Sequence, residues 1–332
     1  LGFADPGVIT LDPAAGTGTY LLGVIDHALG KVEAQQGAGT VPGQASALAK
    51  NIYGFEIMVG PFAVSELRVS RALSDRGAKL PAGGSHVYLT DTLEGPNTPP
   101  PALPFYLKPI AEQHAKALKV KADVPVIVCL GNPPYDRHEA ADETNKARTG
   151  HWVRWGENGD GAGAILESFT EPPKLAGHGG DLKNLYNLYV YFWRWALWKV
   201  FESGGGTGFQ PVSHGQDARA TSPPRPGVAS FISASSYLDG DAFCGMREHM
   251  RRLCDELWIL DLGGEGRGTR KSENVFAIQT PVAIAVAFRE GKAKKDTPAK
   301  VHYAAIVDGK RDEKLKALDA LADFASLTWQ DC

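Results

Sequence analysis

The chain has 332 residues, a formal net charge of −3 and a hydrophobic content of 43%. This length is sufficient for a full α/β core in one large domain or two. The net charge excludes a protein that is basic over its whole surface. Lysine and arginine side chains that bind a nucleic acid would therefore have to be concentrated in one region. The four cysteines and nine histidines show no metal-like spacing, so we expect no metal site and a reducing, cytoplasmic setting.

The most apolar long segment covers residues 185–201 and is rich in aromatic rings. It contains Arg194 and Lys199, which exclude a membrane span, and no signal peptide is visible. We therefore expect no contact with a membrane. The rings could stack on nucleic-acid bases, but a core helix that packs on a sheet is the favoured interpretation.

The first chemical motif follows a short apolar run at residues 8–11, which predicts a buried strand. The next residues, 12–18, are Asp-Pro-Ala-Ala-Gly-Thr-Gly, and a helix is predicted from Thr19. Glycines permit a sharp turn, and the helix N-terminus directs its amides at whatever occupies that turn. Asp12 would repel a phosphate and suits a cationic ligand, although a Gly-x-Gly turn is equally compatible with a structural role.

Two further acids stand at the ends of predicted strands. A second strand at residues 51–57 contains Glu56 and precedes a helical pattern formed by Ala63, Leu67, Val69 and Ala72. A third strand at residues 87–89 precedes Asp91. Open α/β sheets bind ligands at the carboxyl ends of their strands, so these acids together with the glycine loop predict a ligand site. Each acid taken singly could instead cap a helix or lie in a solvated turn.

A second motif, Asn-Pro-Pro-Tyr at residues 132–135, follows a nearly continuous apolar run at residues 124–131. Such a run is typical of a central parallel strand. The two prolines fix the backbone φ angles of the loop, although this tetrapeptide is also a good turn sequence.

In this order, the two motifs resemble the cofactor loop and the catalytic loop of S-adenosylmethionine-dependent DNA adenine-N6 methyltransferases. The resemblance implies an α/β fold, a Rossmann-like seven-stranded methyltransferase sheet with helices on both faces. It implies S-adenosylmethionine as the cofactor, with Glu56 on the ribose hydroxyls and Asp91 on the adenine. The implied cofactor-binding residues are Asp12, Pro13, Ala14, Gly16, Thr17, Gly18, Glu56, Ile57, Asp91, Thr92 and Asn132.

The resemblance also implies a catalytic set consisting of Asn132, Pro133, Pro134 and Tyr135. An adenine amine is a poor nucleophile because its lone pair is delocalised into the ring. In the family, the Asn side-chain oxygen and the carbonyl of the first proline draw the nitrogen toward tetrahedral geometry, and the tyrosine stacks on the extruded base.

Further residues are implied to bind the DNA substrate. Phe276 aligns with a family residue that approaches the flipped base, and its rival interpretation is a core residue at a strand start. Arg267, Arg270 and Lys271 lie among glycines and are the best local candidates for phosphate contacts, although a solvated charged hairpin is equally compatible.

The second half of the chain supplies three more predicted strands, at residues 228–232, 257–262 and 281–288, and a helix at 241–253. The methyltransferase core is therefore expected at residues 1–290. Within it, residues 136–181 form a long target-side loop, either a lid over the base or a floppy insertion, and residues 203–227 form a low-complexity insertion. Residues 291–332, with strand-like 301–306 and helical 312–324, are expected to begin a truncated linker or recognition region.

The aromatic helix and the segment at residues 263–276 further resemble the methyltransferase core of large single-chain restriction-modification enzymes of Type IIG and Type ISP. The implied partners are double-stranded DNA and the nuclease and target-recognition domains of the same parent chain. The family's upstream cofactor segment would precede Leu1, so weak cofactor affinity is expected of these residues alone. No nuclease signature is visible in the sequence, and DNA cleavage by these residues is not predicted.

Two alternatives remain open. Protein glutamine-N5 methyltransferases share the Asn-Pro-Pro-Tyr loop because an amide nitrogen has the same delocalised lone pair. An inactive DNA-binding remnant is the other alternative, suggested by the low-complexity insertion at residues 203–227.

Overall fold

The computed structural model describes residues 2–99, 104, 107–135, 150–203, 225–264, 272–292, 297–306 and 308–332. These residues form one nine-stranded sheet with helices packed against it. The strands are β1 Thr10–Asp12, β2 Ile52–Glu56, β3 His86–Leu89, β4 Val128–Gly131, β5 Gly227–Ala234, β6 Glu256–Gly263, β7 Val282–Arg289, β8 Lys300–Ala305 and β9 Gln330–Asp331. The α-helices are α1 Thr19–Gln36, α2 Val41–Asn51, α3 Val59–Asp75, α4 Lys108–Ala122, α5 His151–Trp155, α6 Glu167–Leu175, α7 Leu188–Leu197, α8 Cys244–Leu253 and α9 Arg311–Asp319.

The strand order is β3-β2-β1-β4-β5-β7-β6-β8-β9. The first five strands in this order run parallel, whereas β7 runs antiparallel to both β5 and β6. Thr10 of β1 pairs with Ile52 of β2 on one side and with Val128 of β4 on the other. The order of the strands therefore reverses at β1, and the loops after β1, β2, β3 and β4 end at the same edge of the sheet.

Side chains alternate between the two faces of the sheet, and each face carries its own core. Ile52 packs with α1, α2 and α3 on one face, whereas Phe55 packs with α4 and α7 on the other. The ring of Phe55 meets the edge of Trp195 in α7 at 6.2 Å. This arrangement confirms the predicted α/β class with helices on both faces.

The number of strands differs from the predicted seven, because β8 and β9 extend the sheet beyond β6. The predicted strand at residues 301–306 is present as β8 and pairs with β6 in parallel. Leu318 of α9 packs against the apolar cluster on this side of the sheet. A domain boundary at residue 290 stays a prediction.

The predicted aromatic helix is confirmed as a core element. It is α7 and continues as a π-helical turn, Trp198–Glu202. Its two cations are accommodated because Arg194 bonds Glu202 and Lys199 donates to the Lys121 carbonyl at 2.7 Å. Among the described residues, every helix is too short or too polar to cross a membrane.

The helix predicted after the second strand is present as α3, and one side of it is buried. Leu67 is 65% exposed and Ala63 is also exposed, whereas Ser65, Val69 and Leu73 are buried. These three residues repeat at intervals of four and line up on one side of the helix. The helix packs on the apolar cluster with that side, flanked by the partly buried Phe62 and Ala72, so Leu67 faces outward.

The long connection after the catalytic loop is folded where the structure describes it. Residues 150–181 contain α5 and α6, and Trp152, Val153 and Phe169 are buried. A floppy insertion is therefore wrong for these residues, because their rings belong to the main core. Residues 136–149, and residues 204–224 of the expected low-complexity insertion, lie outside the described residues.

Candidate active site

The glycine loop joins β1 to α1 and depends on two glycines in left-handed backbone conformations. Gly16 has φ 53° and Gly18 has φ 83°. A Cβ atom on Gly18 would lie 2.8 Å from the Ser65 hydroxyl oxygen, so this position also needs the smallest residue. The Ala15 amide donates to the Phe55 carbonyl at 2.8 Å and fixes the loop on β2.

Asp12 ends β1 and is fully buried. Its Oδ1 accepts the Ala14 amide at 3.0 Å, whereas its Oδ2 has no hydrogen-bond donor among the described residues. Burial raises the pKa of Asp12 to about 7; the Ala14 hydrogen bond opposes that rise and the charge of Glu56 adds to it. A buried carboxylate in this state is stabilised by a cation that brings its own hydrogen-bond donors.

Glu56 ends β2 and holds the glycine loop from the side. Its Oε2 accepts the Gly16 amide and its Oε1 accepts the Met58 amide, each at 2.8 Å. Each carboxylate oxygen keeps a further lone pair, so a diol could still bind. Ile57, the next residue, is 63% exposed and offers an apolar surface beside this carboxylate.

The remaining loop residues connect to neighbouring elements. The Thr92 hydroxyl donates to the Pro13 carbonyl at 2.5 Å, which ties the loop after β3 to the glycine loop. Thr17 accepts from Arg68 of α3, through its carbonyl at 2.8 Å and its hydroxyl at 3.2 Å. The loops after the first three strands therefore form one connected edge.

Asp91 follows β3 and is held by several groups. Its Oδ1 accepts the Leu93 amide at 2.8 Å, and its Oδ2 lies 3.0 Å from His151 Nε2. Burial alone would raise the pKa of Asp91, but the hydrogen bond and charge of His151 outweigh burial and lower it. No sequence pattern points to His151, because it belongs to a distant connection and forms no motif with Asp91.

The Asn-Pro-Pro-Tyr loop begins immediately beside Asp12. Gly131 precedes Asn132, and a Cβ atom on this glycine would lie 2.5 Å from Asp12 Oδ1. Glycine thus permits β4 to bring the 132–135 loop against the acid. Pro133 is buried, whereas Asn132, Pro134 and Tyr135 are half-buried.

The Tyr135 hydroxyl donates to Asn132 Oδ1 and also lies 3.2 Å from the Ile232 carbonyl of β5. Burial, with a smaller contribution from Tyr20, raises the pKa of Tyr135. Tyr20, in the first turn of α1, is half-exposed, and burial followed by the charge of Asp12 raises its pKa to about 12. Tyr20 therefore faces the same site, although its position in a helical pattern gave no signal of this.

Phe276 is half-buried and packs against the same apolar cluster as Tyr135. Its amide donates to Asn274 Oδ1 at 2.9 Å, and Asn274 Nδ2 donates to the Thr280 carbonyl at 2.6 Å, which fixes the segment before β7. The structure thus places the two predicted base-contacting rings on one cluster. The predicted phosphate contacts Arg267, Arg270 and Lys271 lie outside the described residues.

The edge of the sheet brings carboxylates and neutral acceptors together. Asp12 and Glu56 face the glycine loop. Asn132 follows β4, which lies on the side of β1 opposite to β2, so it is the neighbour of Asp12 on that side. Two acids beside a glycine loop favour a cationic, hydroxyl-bearing ligand and disfavour a phosphate. The neutral oxygens of the 132–135 loop can accept hydrogen bonds from a second molecule placed beside that ligand.

Comparisons with known proteins agree with this fold. No protein-family model and no curated protein matches the chain. A solved complex of DrdV with DNA has a TM-score of 0.69 and 22% identity over 99% of this chain. The ATP-dependent Type ISP restriction-modification enzyme LlaBIII bound to DNA has a TM-score of 0.70 and 21% identity over 95% of it. A nuclease-deletion mutant of the Type ISP restriction-modification enzyme LlaGI with a DNA substrate mimic has a TM-score of 0.71 and 20% identity over 99%.

The chain covers 27%, 19% and 24% of those three chains, respectively. The similarity therefore concerns one region of much longer proteins. This chain has the fold of that region.

Proposed function

We propose that the chain is the methyltransferase core of a restriction-modification enzyme and transfers a methyl group from S-adenosylmethionine to the N6 amine of adenine in double-stranded DNA. The observation that carries the proposal is the position of the Asn132–Tyr135 loop directly beside Asp12. A site for a cationic ligand and a pair of neutral acceptors for an amine are then adjacent. Methyl transfer from a sulfonium to a nitrogen needs this adjacency.

The residues at the edge of the sheet fit S-adenosylmethionine. The unpaired Oδ2 of Asp12 suits its cationic amino acid end. Glu56 keeps a lone pair on each oxygen for the ribose hydroxyls, and Ile57 offers an apolar surface to the purine. When bound, this cofactor supplies a methyl group on a positively charged sulfur.

The 132–135 loop prepares the attacking nitrogen. Asn132 Oδ1 and the Pro133 carbonyl would each accept one N–H of the adenine amine, which localises the nitrogen lone pair. Methylation would leave the amine nitrogen cationic and acidic, so the neutral oxygens of Asn132 and Pro133 would suffice to hold its N–H groups until one proton leaves to water. Asn132 Oδ1 accepts the Tyr135 hydroxyl and keeps a second lone pair for the substrate.

A base inside a duplex is inaccessible to this loop and must be extruded. Tyr135 and Phe276 border one apolar cluster and could receive the flipped base between them. The similar solved structures are described as complexes with DNA, and two of them are Type ISP restriction-modification enzymes. These descriptions support DNA as the substrate, and the nuclease-deletion mutant of LlaGI supports a nuclease domain as a partner in the same chain. A target-recognition domain is the further partner that the sequence resemblance implies.

The proposal is tested by expressing the complete gene in a host that lacks DNA methylation. Sequencing that detects modified bases should find N6-methyladenine at a defined DNA sequence. The same gene with Asn132→Ala is the matched control and should leave the DNA unmodified. Unmodified DNA from the unaltered gene, or modified cytosine, would contradict the proposal.

The two alternatives give different results. A protein glutamine methyltransferase would transfer a labelled methyl group to a release-factor peptide and leave DNA unlabelled. An inactive DNA-binding remnant would shift DNA in a gel but give no heat on titration with S-adenosyl-L-homocysteine.

A further inference from the structure

The contact between Asp91 and His151 joins two segments that are far apart in the sequence. Asp91 Oδ2 and His151 Nε2 are 3.0 Å apart, and both side chains are partly shielded from solvent, 18% and 24% exposed. A cleft of about 300 Å³ opens beside the pair and is lined by His151, Glu94 and Trp152, among others. His151, the partner of Asp91, therefore borders open space.

The backbone at His151 is strained. It has φ 40° and is the one residue other than glycine with a positive φ in the described part of the chain. Gly150 before it has φ 93°, and a Cβ atom there would lie 2.7 Å from the Tyr191 ring. Packing on α7 thus forces the turn, and strained residues of this kind are concentrated at functional sites.

The groups around Asp91 hold this residue in place but leave part of the hydrogen-bonding capacity of its carboxylate unused. Lys121 of α4 donates to the Asp91 carbonyl at 2.5 Å, and His114 of the same helix lies 2.6 Å from a Glu94 carboxylate oxygen. Burial alone would lower the pKa of His151, but the hydrogen bond and charge of Asp91, then the charge of Glu94, outweigh it and raise the pKa. Each Asp91 oxygen accepts one hydrogen bond and keeps a lone pair for another.

We propose that His151 is a positioning residue that orients Asp91, so that its carboxylate accepts the 6-amino group of a purine nucleoside cofactor. This inference rests on the proposed function. His151 acts through Asp91 and need not touch the ligand. The strained turn is retained because it delivers the imidazole to the carboxylate.

Two variants separate the imidazole from the backbone turn. His151→Gly keeps the positive φ without strain and removes the side chain. His151→Gln keeps an N–H donor near the position of Nε2. Calorimetric titration of the protein that the complete gene encodes would use S-adenosyl-L-homocysteine and its 6-deamino analogue, whose purine lacks the amine.

The measured quantity is the ratio of the two dissociation constants. The unaltered protein should bind the amino ligand at least about tenfold more tightly than the 6-deamino analogue, because a site built around a donor rejects a ligand that lacks it. In His151→Gly the ratio should fall to about two, and His151→Gln should restore most of it, since an amide also donates to Asp91. A loss of folding alone would weaken both ligands equally and leave the ratio unchanged.

The outcomes distinguish this inference from the proposed function. An unaltered ratio in His151→Gly, in a variant that still melts cooperatively, overturns the role of His151 and leaves the cofactor site intact. Failure of His151→Gln to restore the ratio also overturns it. If the unaltered protein that the complete gene encodes binds neither ligand, the proposed cofactor site is overturned and this inference with it.

Discussion

Two acidic sites in this molecule, Asp12, which is fully buried, and Glu202, which is half-buried, have opposite hydrogen-bonding states. At the edge of the sheet, Asp12 accepts one hydrogen bond, and its second oxygen has no donor among the described residues. At the end of α7, Glu202 accepts from Arg194 at 2.9 and 2.8 Å and lies 2.9 Å from His249 Nε2. The pKa of Asp12 is raised to about 7 by burial. For Glu202 burial acts the same way, but Arg194 and His249 outweigh it and hold the pKa far below its usual range.

This difference in hydrogen-bond donors distinguishes an acid with a structural role from an acid that can bind a ligand. Glu202 is saturated with donors from its own chain, so it joins α7 to α8 and needs no ligand. Asp12 is fully buried, more deeply than Glu202, and lacks such donors, which destabilises its charged form. An acid that the fold buries without a partner is a candidate for binding a partner from outside.

The largest effect is expected at the saturated acid. Glu202→Gln leaves the buried Arg194 guanidinium without a counter-charge, so the free energy of unfolding should fall by about 3 kcal/mol or more. Urea unfolding monitored by circular dichroism measures this. Glu248→Gln is the matched control, because Glu248 pairs with Arg252 on the exposed face of α8 and such pairs contribute about 0–1 kcal/mol. Equal losses in the two variants would contradict a structural role for Glu202.

At the open edge of the sheet, the largest effect should fall on rate. Asn132→Ala removes one oriented acceptor from the transition state, so methyl transfer should slow by about 10²-fold or more, as when an oxyanion-hole donor is removed. Affinity for S-adenosyl-L-homocysteine should stay within about twofold, because Asn132 acts mainly on the target amine.

Tyr135→Phe is the control for Asn132→Ala. It removes the hydroxyl that donates to Asn132 but keeps the ring, so a rate loss below about tenfold is expected. Single-turnover assays with saturating DNA measure both variants. Full activity of Asn132→Ala would remove the catalytic assignment of the loop.

The sequence predicted the elements that depend on local pattern. The apolar runs located β1 to β7, and Gly16 and Gly18 located the turn before α1. It could not predict that β8 joins the same sheet, because strand pairing depends on where β6 presents its free edge. The helical period located α3, but it could not predict that Leu67 is exposed, because period alone does not say which side of an apolar helix the sheet covers.

The candidate site was predictable only where its residues follow strands. Asp12, Glu56, Asp91 and Asn132 share that property, and the sheet brings them to one edge. His151 and Tyr20 follow no strand and form no motif, so only the tertiary structure connects them with the acids. The Tyr135 to Asn132 hydrogen bond was also unpredictable, because it depends on a side-chain rotation within the loop.

The unpaired state of Asp12 predicts a pH-dependent effect on stability. Its folded pKa of about 7 exceeds its ordinary value of 3.8, so the folded chain binds more protons between these pH values. Its contribution to stability is therefore full below about pH 4 and is lost as the pH rises through 7. Asp12→Asn removes the titration and should raise the free energy of unfolding, relative to the unaltered chain, by about 2 kcal/mol at pH 8.

The same variant should weaken binding of S-adenosyl-L-homocysteine by about tenfold or more, because the amide carries no charge for the cationic amino group. Urea unfolding at pH 5 and pH 8, with calorimetric titration at pH 8, measures both effects. A variant that is less stable at pH 8 and binds the ligand normally would show that Asp12 is a structural acid like Glu202.

The smallest effect is expected at Phe276, where the open edge of the sheet meets the base-contacting region. A ring that stacks on an extruded base contributes about 1–3 kcal/mol, and a half-buried ring on one side of the base belongs in the lower part of that range. In the protein that the complete gene encodes, Phe276→Ala should therefore weaken capture of the flipped base by about 1–2 kcal/mol with little loss of stability. Fluorescence of 2-aminopurine at the target position reports the capture.

Phe324→Ala is the matched control, since Phe324 is 43% exposed and contacts the rings of Trp258 and Trp329, but is not among the residues packed on the apolar cluster of Tyr135 and Phe276. It should leave the fluorescence unchanged because its ring contacts no part of the expected base pocket. If Phe276→Ala unfolds readily while 2-aminopurine brightens as in the unaltered protein, Phe276 is a core residue at the start of β7. The proposed base pocket would then lack Phe276, and Tyr135 alone would stack on the base, from one side.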